Sequence, residues 1–242
     1  MRTGIVVACI ALAIPGFARA DRRYYAWTYN AATAEPGGLD VELWATLAQP
    51  GPSGGLQSWT YQLELETGIT EYWDVAVYND FLYEQGGELR YQALRVETRY
   101  RLSQPGEWFV DPVLYLEVKK EFIEDAPWAI EGKVIVAKDV GPLNLSLNLS
   151  GEQEFLSGGG TETEWGWYGA ASWEIHPVVR VGGEVYGFWT RAGGQPYQST
   201  AYAGPAVARR VIPIDIIARG RHFIFQINIG GFRISYVAPR NC

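Results

Sequence analysis

Two histidines, His176 and His222, and two cysteines, Cys9 and Cys242, are the only imidazoles and thiols in the 242 residues. Nucleophilic catalysis requires a base within hydrogen-bond reach of a hydroxyl or thiol. No serine stands two residues beyond either histidine; Pro177 follows His176, and Phe223 follows His222. A structural zinc site takes four clustered Cys or His ligands, and this chain has no such cluster. No metal site and no cofactor are expected. Carboxylates remain. Glu64 and Glu66 share one strand face about 7 Å apart, which is wide for two acids sharing a proton. They are read as ion-pair partners, because bases share their parity elsewhere, and no enzyme activity is expected.

The density of charge of both signs is the other chemical signal. Arg95, Glu97, Arg99 and Arg101 alternate along one stretch, followed by Asp111, Glu117, Lys119 and Glu121, and then by Glu131 and Lys133. Opposite charges on neighbouring strands pair, and rings of charge along a pore sort ions. With Glu64 and Glu66, these residues are the candidate lining of a polar interior.

The chain carries 20 basic and 27 acidic residues, a net charge of −7, and lacks the basic runs of a phosphate-driven nucleic-acid binder. Its 48% hydrophobic and 14% aromatic content excludes disorder. Ten Trp and 15 Tyr beside 28 Gly form an unusual surplus. Residues 1–20 read as a secretory signal peptide, with Arg2, an apolar run from Ile5 to Ile14, and Ala18-Arg19-Ala20 at the cleavage point. Its removal takes away Arg2, Arg19 and Cys9, so the exported chain is still more acidic and has one thiol.

Period-2 alternation, the mark of a strand with two unlike faces, runs through the rest. Leu143, Leu145, Leu147 and Leu149 alternate with Asn144, Ser146, Asn148 and Ser150. Trp59–Glu66 and Leu94–Leu102 alternate likewise, with a parity slip near Ala93 that predicts a bulge. Similar patterns fall at 41–47, 73–77, 110–118, 128–136, 165–175, 179–189, 200–208, 223–229 and 232–236. About twelve strands are expected, or 14 if residues 209–221 supply two more, with no helix. Short and long connections roughly alternate. Asp21 to Gly38 are ambiguous, and residues 21–37 are read as an N-terminal arm, an added strand or part of a plug. The barrel proper is read as 38–242.

Alternation alone does not say which face is inside. Parity puts Trp59, Trp73, Trp108, Trp128, Trp165, Trp167, Trp173 and Trp189 on the apolar face, most of them near strand ends. That is the placement of interfacial aromatic belts. Gly169, Ala171, Gly183 and Gly187 on the same face would leave voids in a packed core, but not against lipid chains. The expected fold is all-β: a single antiparallel up-and-down transmembrane β-barrel with a lipid-facing apolar exterior. The sequons at Asn144 and Asn148 fall in mid-strand on the polar face and are not read as glycosylation sites.

These features resemble bacterial outer-membrane β-barrel proteins, more narrowly the porin-like barrels of about twelve strands. The C-terminal run Gly231-Phe232-Arg233-Ile234-Ser235-Tyr236 is similar to their G-x-x-Φ-x-aromatic assembly signal through Gly231, Ile234 and Tyr236. Val237–Cys242 follow it here, where that family normally stops. The resemblance implies residence in the outer membrane of a Gram-negative bacterium, with outer-membrane lipid and, during insertion, the barrel-assembly machinery as partners. The expected function is a porin-like channel passing small hydrophilic solutes or ions through a charged lumen, weakly cation-preferring because acids outnumber bases inside. Two alternatives remain: a non-conducting structural or surface-interaction barrel, and an outer-membrane phospholipase-type enzyme. The H-x-S spacing of the latter is absent.

Overall fold

The structure is a computed structural model, and it describes residues 23–48, 56–123, 127–177, 179–193, 195–209 and 226–227. The expected signal peptide and the C-terminal run Gly231–Tyr236 lie outside these residues, as does most of 209–221. The described strands are β1 (Leu39–Ala48), β2 (Ser58–Thr70), β3 (Trp73–Glu84), β4 (Leu89–Arg101) and β5 (Asp111–Glu121). They continue with β6 (Trp128–Val140), β7 (Leu143–Phe155), β8 (Thr161–His176), β9 (Val179–Ala192), β10 (Gln198–Arg209) and the two-residue β11 (Gln226–Ile227). From β1 to β10 each strand pairs antiparallel with the next, and the ten curl into a half-barrel. On the far side of β1, Glu42 and Leu43 pair with Gln226 and Ile227 in parallel. No helix occurs among the described residues.

Ten strands stand where alternation predicts strands ahead of residue 210, and most run two to four residues longer. Thr161–Glu164 of β8, ahead of the expected start at Trp165, pair with Glu152–Phe155 of β7. The connection between β7 and β8 is therefore only Leu156–Gly160. The predicted bulge is present. Asp80 pairs with Ala93 and Phe81 with Tyr91, which leaves Gln92 as the extra residue.

The two faces are inverted relative to a soluble barrel. Leu43, Leu65, Val96, Leu114, Leu116, Ile130, Val134, Leu145, Leu147 and Leu149 are exposed on the convex face. Glu42, Glu64, Glu66, Asp74, Glu97, Arg99, Asn144 and Asn148 are buried on the concave face. Apolar residues usually fill an interior, so an exposed contiguous apolar wall marks a surface meant for another apolar phase or partner. Among the described residues, the buried apolar cluster is small: Val113, Tyr115 and Ile135, with Tyr29 and Ala31 packed against it.

The two ends of the sheet also differ. At one end, β2–β3, β6–β7 and β8–β9 are joined by two-residue turns. Leu102–Val110 is the exception at that end. It carries Trp108, which therefore lies in a connection, not on the strand face that alternation assigns it. The other end carries the remaining described or partly described connections. Trp59, Trp128, Trp165 and Trp189 lie toward that second end, whereas Trp73 and Trp173 lie toward the tight-turn end. Trp165 and Trp167 are laid flat over glycines of neighbouring strands. A Cβ on Gly151 would meet the Trp165 ring at 2.8 Å, and one on Gly187 would meet Trp167 at the same distance. Gly187 is thus covered by an indole, where the sequence reading left space for lipid. Aromatic cover of a strand glycine restores the contact surface that glycine lacks.

Candidate functional site: a charged inner wall crossed by the N-terminal segment

Pairing register builds an unusual feature on the concave face. Glu97 pairs with Glu117, Glu117 with Glu131, Glu131 with Glu152, and Glu152 with Glu164. Five glutamates therefore stand side by side across β4 to β8. Cross-strand neighbours have Cβ atoms about 4.5–5.5 Å apart, and like charges there are destabilising. Cations one step along the strands offset the repulsion. Arg95 binds Glu117 at 3.2 Å and Asp80 at 2.9 Å. Lys119 lies 3.3 Å from Glu121 and 3.4 Å from Glu152, and Lys133 lies 3.3 Å from Glu131. The Lys133 ammonium also sits over the rings of Tyr115 at 4.4 Å, Tyr29 at 4.8 Å and Tyr168 at 5.3 Å, an aromatic cage that suits a desolvated cation.

A second, tighter cluster lies between β2 and β4. Arg99 is 2% exposed and forms ion pairs with Glu66, with Asp74 at 2.8 Å and with Glu97 at 3.3 Å. The Tyr78 hydroxyl lies 2.7 Å from Glu64 and 2.6 Å from Glu97. Expected pairing of Arg95, Arg99 and Arg101 with the following strand is thus met by Arg95 alone. Arg99 turns back to β2 and β3, and Arg101 donates to the Glu71 carbonyl. The reason is register: Arg95 stands directly opposite Lys119, and Arg99 opposite Tyr115, so Arg99 finds its acids on the other side.

Residues Arg23 to Gly38 cross this wall as a strap. Arg23 Nη2 donates to Glu64 at 3.0 Å and to the Tyr78 hydroxyl at 2.9 Å. The Tyr25 hydroxyl donates to Asn144 Oδ1 at 2.8 Å and lies 3.0 Å from Ser172 Oγ. Burial pushes this phenol above its ordinary pKa, so it stays a donor. The backbone N–H groups of Ala26, Trp27 and Thr28 all donate to the Glu184 carboxylate at 3.0–3.1 Å, and the Thr28 hydroxyl adds a fourth bond at 3.2 Å. Tyr29 exchanges both backbone groups with the Asn148 amide, at 2.6 and 3.0 Å. Ala34 N–H donates to Asp74 at 2.9 Å, and Gly37 N–H to the Gly68 carbonyl at 2.9 Å. Gly68 has to be glycine, since a Cβ there would collide with the backbone of Ala34 and Glu35. An irregular segment can be buried only if its backbone groups are satisfied, and here concave-face side chains and the Gly68 carbonyl take up those named.

At the tight-turn end, the strap and the ends of β1, β5 and β6 enclose a cavity of about 550 Å³. Asp40, Asp111 and Asp139 line it, with Arg101 and Lys138. Asp111 accepts from Gly106 N–H at 2.5 Å, and Lys138 donates to the Trp108 carbonyl at 2.9 Å.

All twelve candidate lining residues lie on the concave face, with Glu64, Glu66, Glu97, Arg99, Asp111, Glu117 and Lys133 buried there. The lining set omits Glu42, Glu152 and Glu184, which alternation also places on the polar face, and Asp74, Asp80 and Glu164. Their parity matches the chosen residues and was the available signal. It also left out the tyrosines. Tyr168, Tyr186 and Tyr202 stand in one cross-strand row, with rings 6.0 and 5.0 Å apart. His176 is the exposed last residue of β8, and His222 lies outside the described residues. Among the described residues no group of acids, histidines or cysteines is arranged to hold a metal. No protein-family model and no curated protein matches the chain.

Proposed function

We propose that the protein is an outer-membrane β-barrel of porin-like type, whose acidic inner wall passes small cations or small hydrophilic solutes past an internal constriction. The inversion of the two faces carries this reading: a continuous apolar wall outside and an ion-paired, hydrogen-bonded wall inside. That is the arrangement of a barrel in hydrocarbon. The register-aligned row Glu97, Glu117, Glu131, Glu152 and Glu164 supports cation preference, because a ring of acids raises local cation concentration. The strap from Arg23 to Gly38 is the constriction.

Planar-bilayer recording of the refolded chain tests the reading. A small, cation-preferring current is expected, growing when residues 21–35 are deleted. Changing Glu131, Glu152 and Glu164 together to Gln should shift the reversal potential toward zero. Anion preference contradicts the proposal. The filled stretch of wall around Arg99 and the strap favours one second reading, a barrel that does not conduct. No current from either the full chain or the deletion would establish that reading instead.

A further inference from the structure

The wall holds the strap largely by its backbone. Five strap N–H groups donate to side chains of three strands: Ala26, Trp27 and Thr28 to Glu184 of β9, Tyr29 to Asn148 of β7, and Ala34 to Asp74 of β3. Asn148 also donates to the Tyr29 carbonyl at 3.0 Å, so one amide takes both backbone groups of one residue. The chain bends at residues 25–27, which turns three successive N–H groups onto the Glu184 carboxylate. Every residue except proline owns both of these backbone groups, so peptides of other sequences can make the same bonds. Glu184, Asn148 and Asp74 are all buried beneath the strap.

Side-chain sockets lie beside these backbone contacts. Arg23 enters one formed by Glu64 and the Tyr78 hydroxyl, with Glu42 at 4.0 Å. The Tyr25 hydroxyl enters a second, between Asn144 and Ser172. The Tyr29 ring lies 5.4 Å from that of Tyr115, and its hydroxyl donates to Glu97 at 3.2 Å. Peptide grooves draw affinity from main-chain hydrogen bonds and specificity from pockets for particular side chains. Both kinds of contact are made here by the wall, and the strap fills them. The glutamate row across β4 to β8 adds a field that favours basic peptides over acidic ones.

We infer that this wall is a binding site for a short peptide and that the strap is its tethered occupant. The solutes it selects are peptides with an arginine followed by tyrosines at the spacing of Arg23, Tyr25 and Tyr29. The inference rests on the barrel reading above, in which the strap is the constriction. Gly38 leads directly into β1, so the tether is short. A short tether holds its ligand at an effective concentration of about a millimolar. A free peptide therefore gains the site once the strap is weakened, whereas a strap that is a fixed part of the wall leaves no site for a second chain.

The test is fluorescence anisotropy of a labelled synthetic peptide of residues 23–34, titrated with the full chain refolded in a non-ionic detergent. T28P takes the Thr28 N–H and hydroxyl away from Glu184, and should raise affinity for the free peptide at least about tenfold over wild type. Adding E184A to T28P removes the acceptor of three peptide N–H groups, and should lower that affinity at least about tenfold. A peptide of the same composition with its arginine and tyrosines moved should bind the T28P chain at least about tenfold more weakly. Deletion of residues 21–35 serves as the second variant and should bind the native-order peptide as T28P does. If both variants keep the mobility difference between unheated and boiled protein yet bind no peptide, the strap is a fixed plug, and the site is overturned while the barrel reading stands. Equal binding of the native-order and reordered peptides overturns it as well, since charge alone then holds them. A wild-type chain that fails to insert into vesicles overturns both.

Discussion

Glu184 is buried with both oxygens committed to the strap, so its loss strands three backbone N–H groups and a hydroxyl in the interior. Hydrogen bonds to a charged group contribute about 1.5–3 kcal/mol each, and not additively. E184A is therefore expected to lower stability by at least about 2 kcal/mol, measured by denaturant unfolding of the refolded protein. Strap residues should become protease-accessible before the strands do. Arg99 gives a sharper case. Removing one member of a buried ion cluster costs about 3–5 kcal/mol, because the remaining charges stay uncompensated. R99M should fall in that range, and adding E66L should recover much of it. A loss of less than about 1 kcal/mol for R99M would mean that the cluster is not buried as described. Single residues were legible in the sequence only as members of a face. Parity places Glu64, Glu97 and Arg99 together, but no parity argument says that Arg99 turns back to Asp74 instead of on to Glu117. That choice depends on which residues stand opposite, which pairing register fixes.

Strands were the most legible elements, because an inside-out barrel writes a two-residue period over nearly its whole length. Leu143 to Ser150 of β7 is the plainest instance. Leu147 lies midway between the levels of Trp165 and Trp173, pairs with Gly169, and is 49% exposed. L147R is expected to cost about 2–4 kcal/mol, the penalty for arginine at the midplane of a membrane barrel. The same change on a water-facing strand would fall within about 0.5 kcal/mol. Unfolding from vesicles measures the difference. The strap was much less legible. Arg23 to Gly38 has no period of 2 or 3.6, and its conformation is imposed by Glu184, Asn148, Asp74 and Gly68, residues more than 30 positions away. The only local sign was negative: a polar and aromatic stretch that fits no strand. Asn144 and Asn148 show the same dependence. As a sequence pattern they are sequons, whereas in the fold they are the amides that hold Tyr25 and Tyr29.

At the scale of the whole molecule, aromatic residues line both faces. Trp59, Trp73, Trp128, Trp165, Trp173 and Trp189 lie toward the ends of the convex face, where an amphipathic ring with one N–H suits an interface, and Tyr61, Tyr91 and Tyr100 are exposed on the same face. On the concave side Trp44 donates to Glu42, Trp27 of the strap packs on Tyr186, and Tyr78 and Tyr115 meet Glu64, Glu97 and Glu117 through hydroxyls. The aromatic surplus therefore serves two surfaces, and the exterior placement alone was visible from the tryptophan positions. Ten strands of the half-barrel are likewise visible as alternation, whereas the parallel pairing of Gln226 and Ile227 with Glu42 and Leu43 of β1 has no sign in the sequence pattern. The central claim is that the apolar convex wall faces lipid. The most direct measurement is gel mobility in SDS after refolding into phospholipid vesicles, comparing unheated with boiled protein. A membrane barrel resists the detergent, so the unheated chain should migrate faster than the boiled one and float with the vesicles. Identical mobility, with the protein left in the supernatant, would contradict the account.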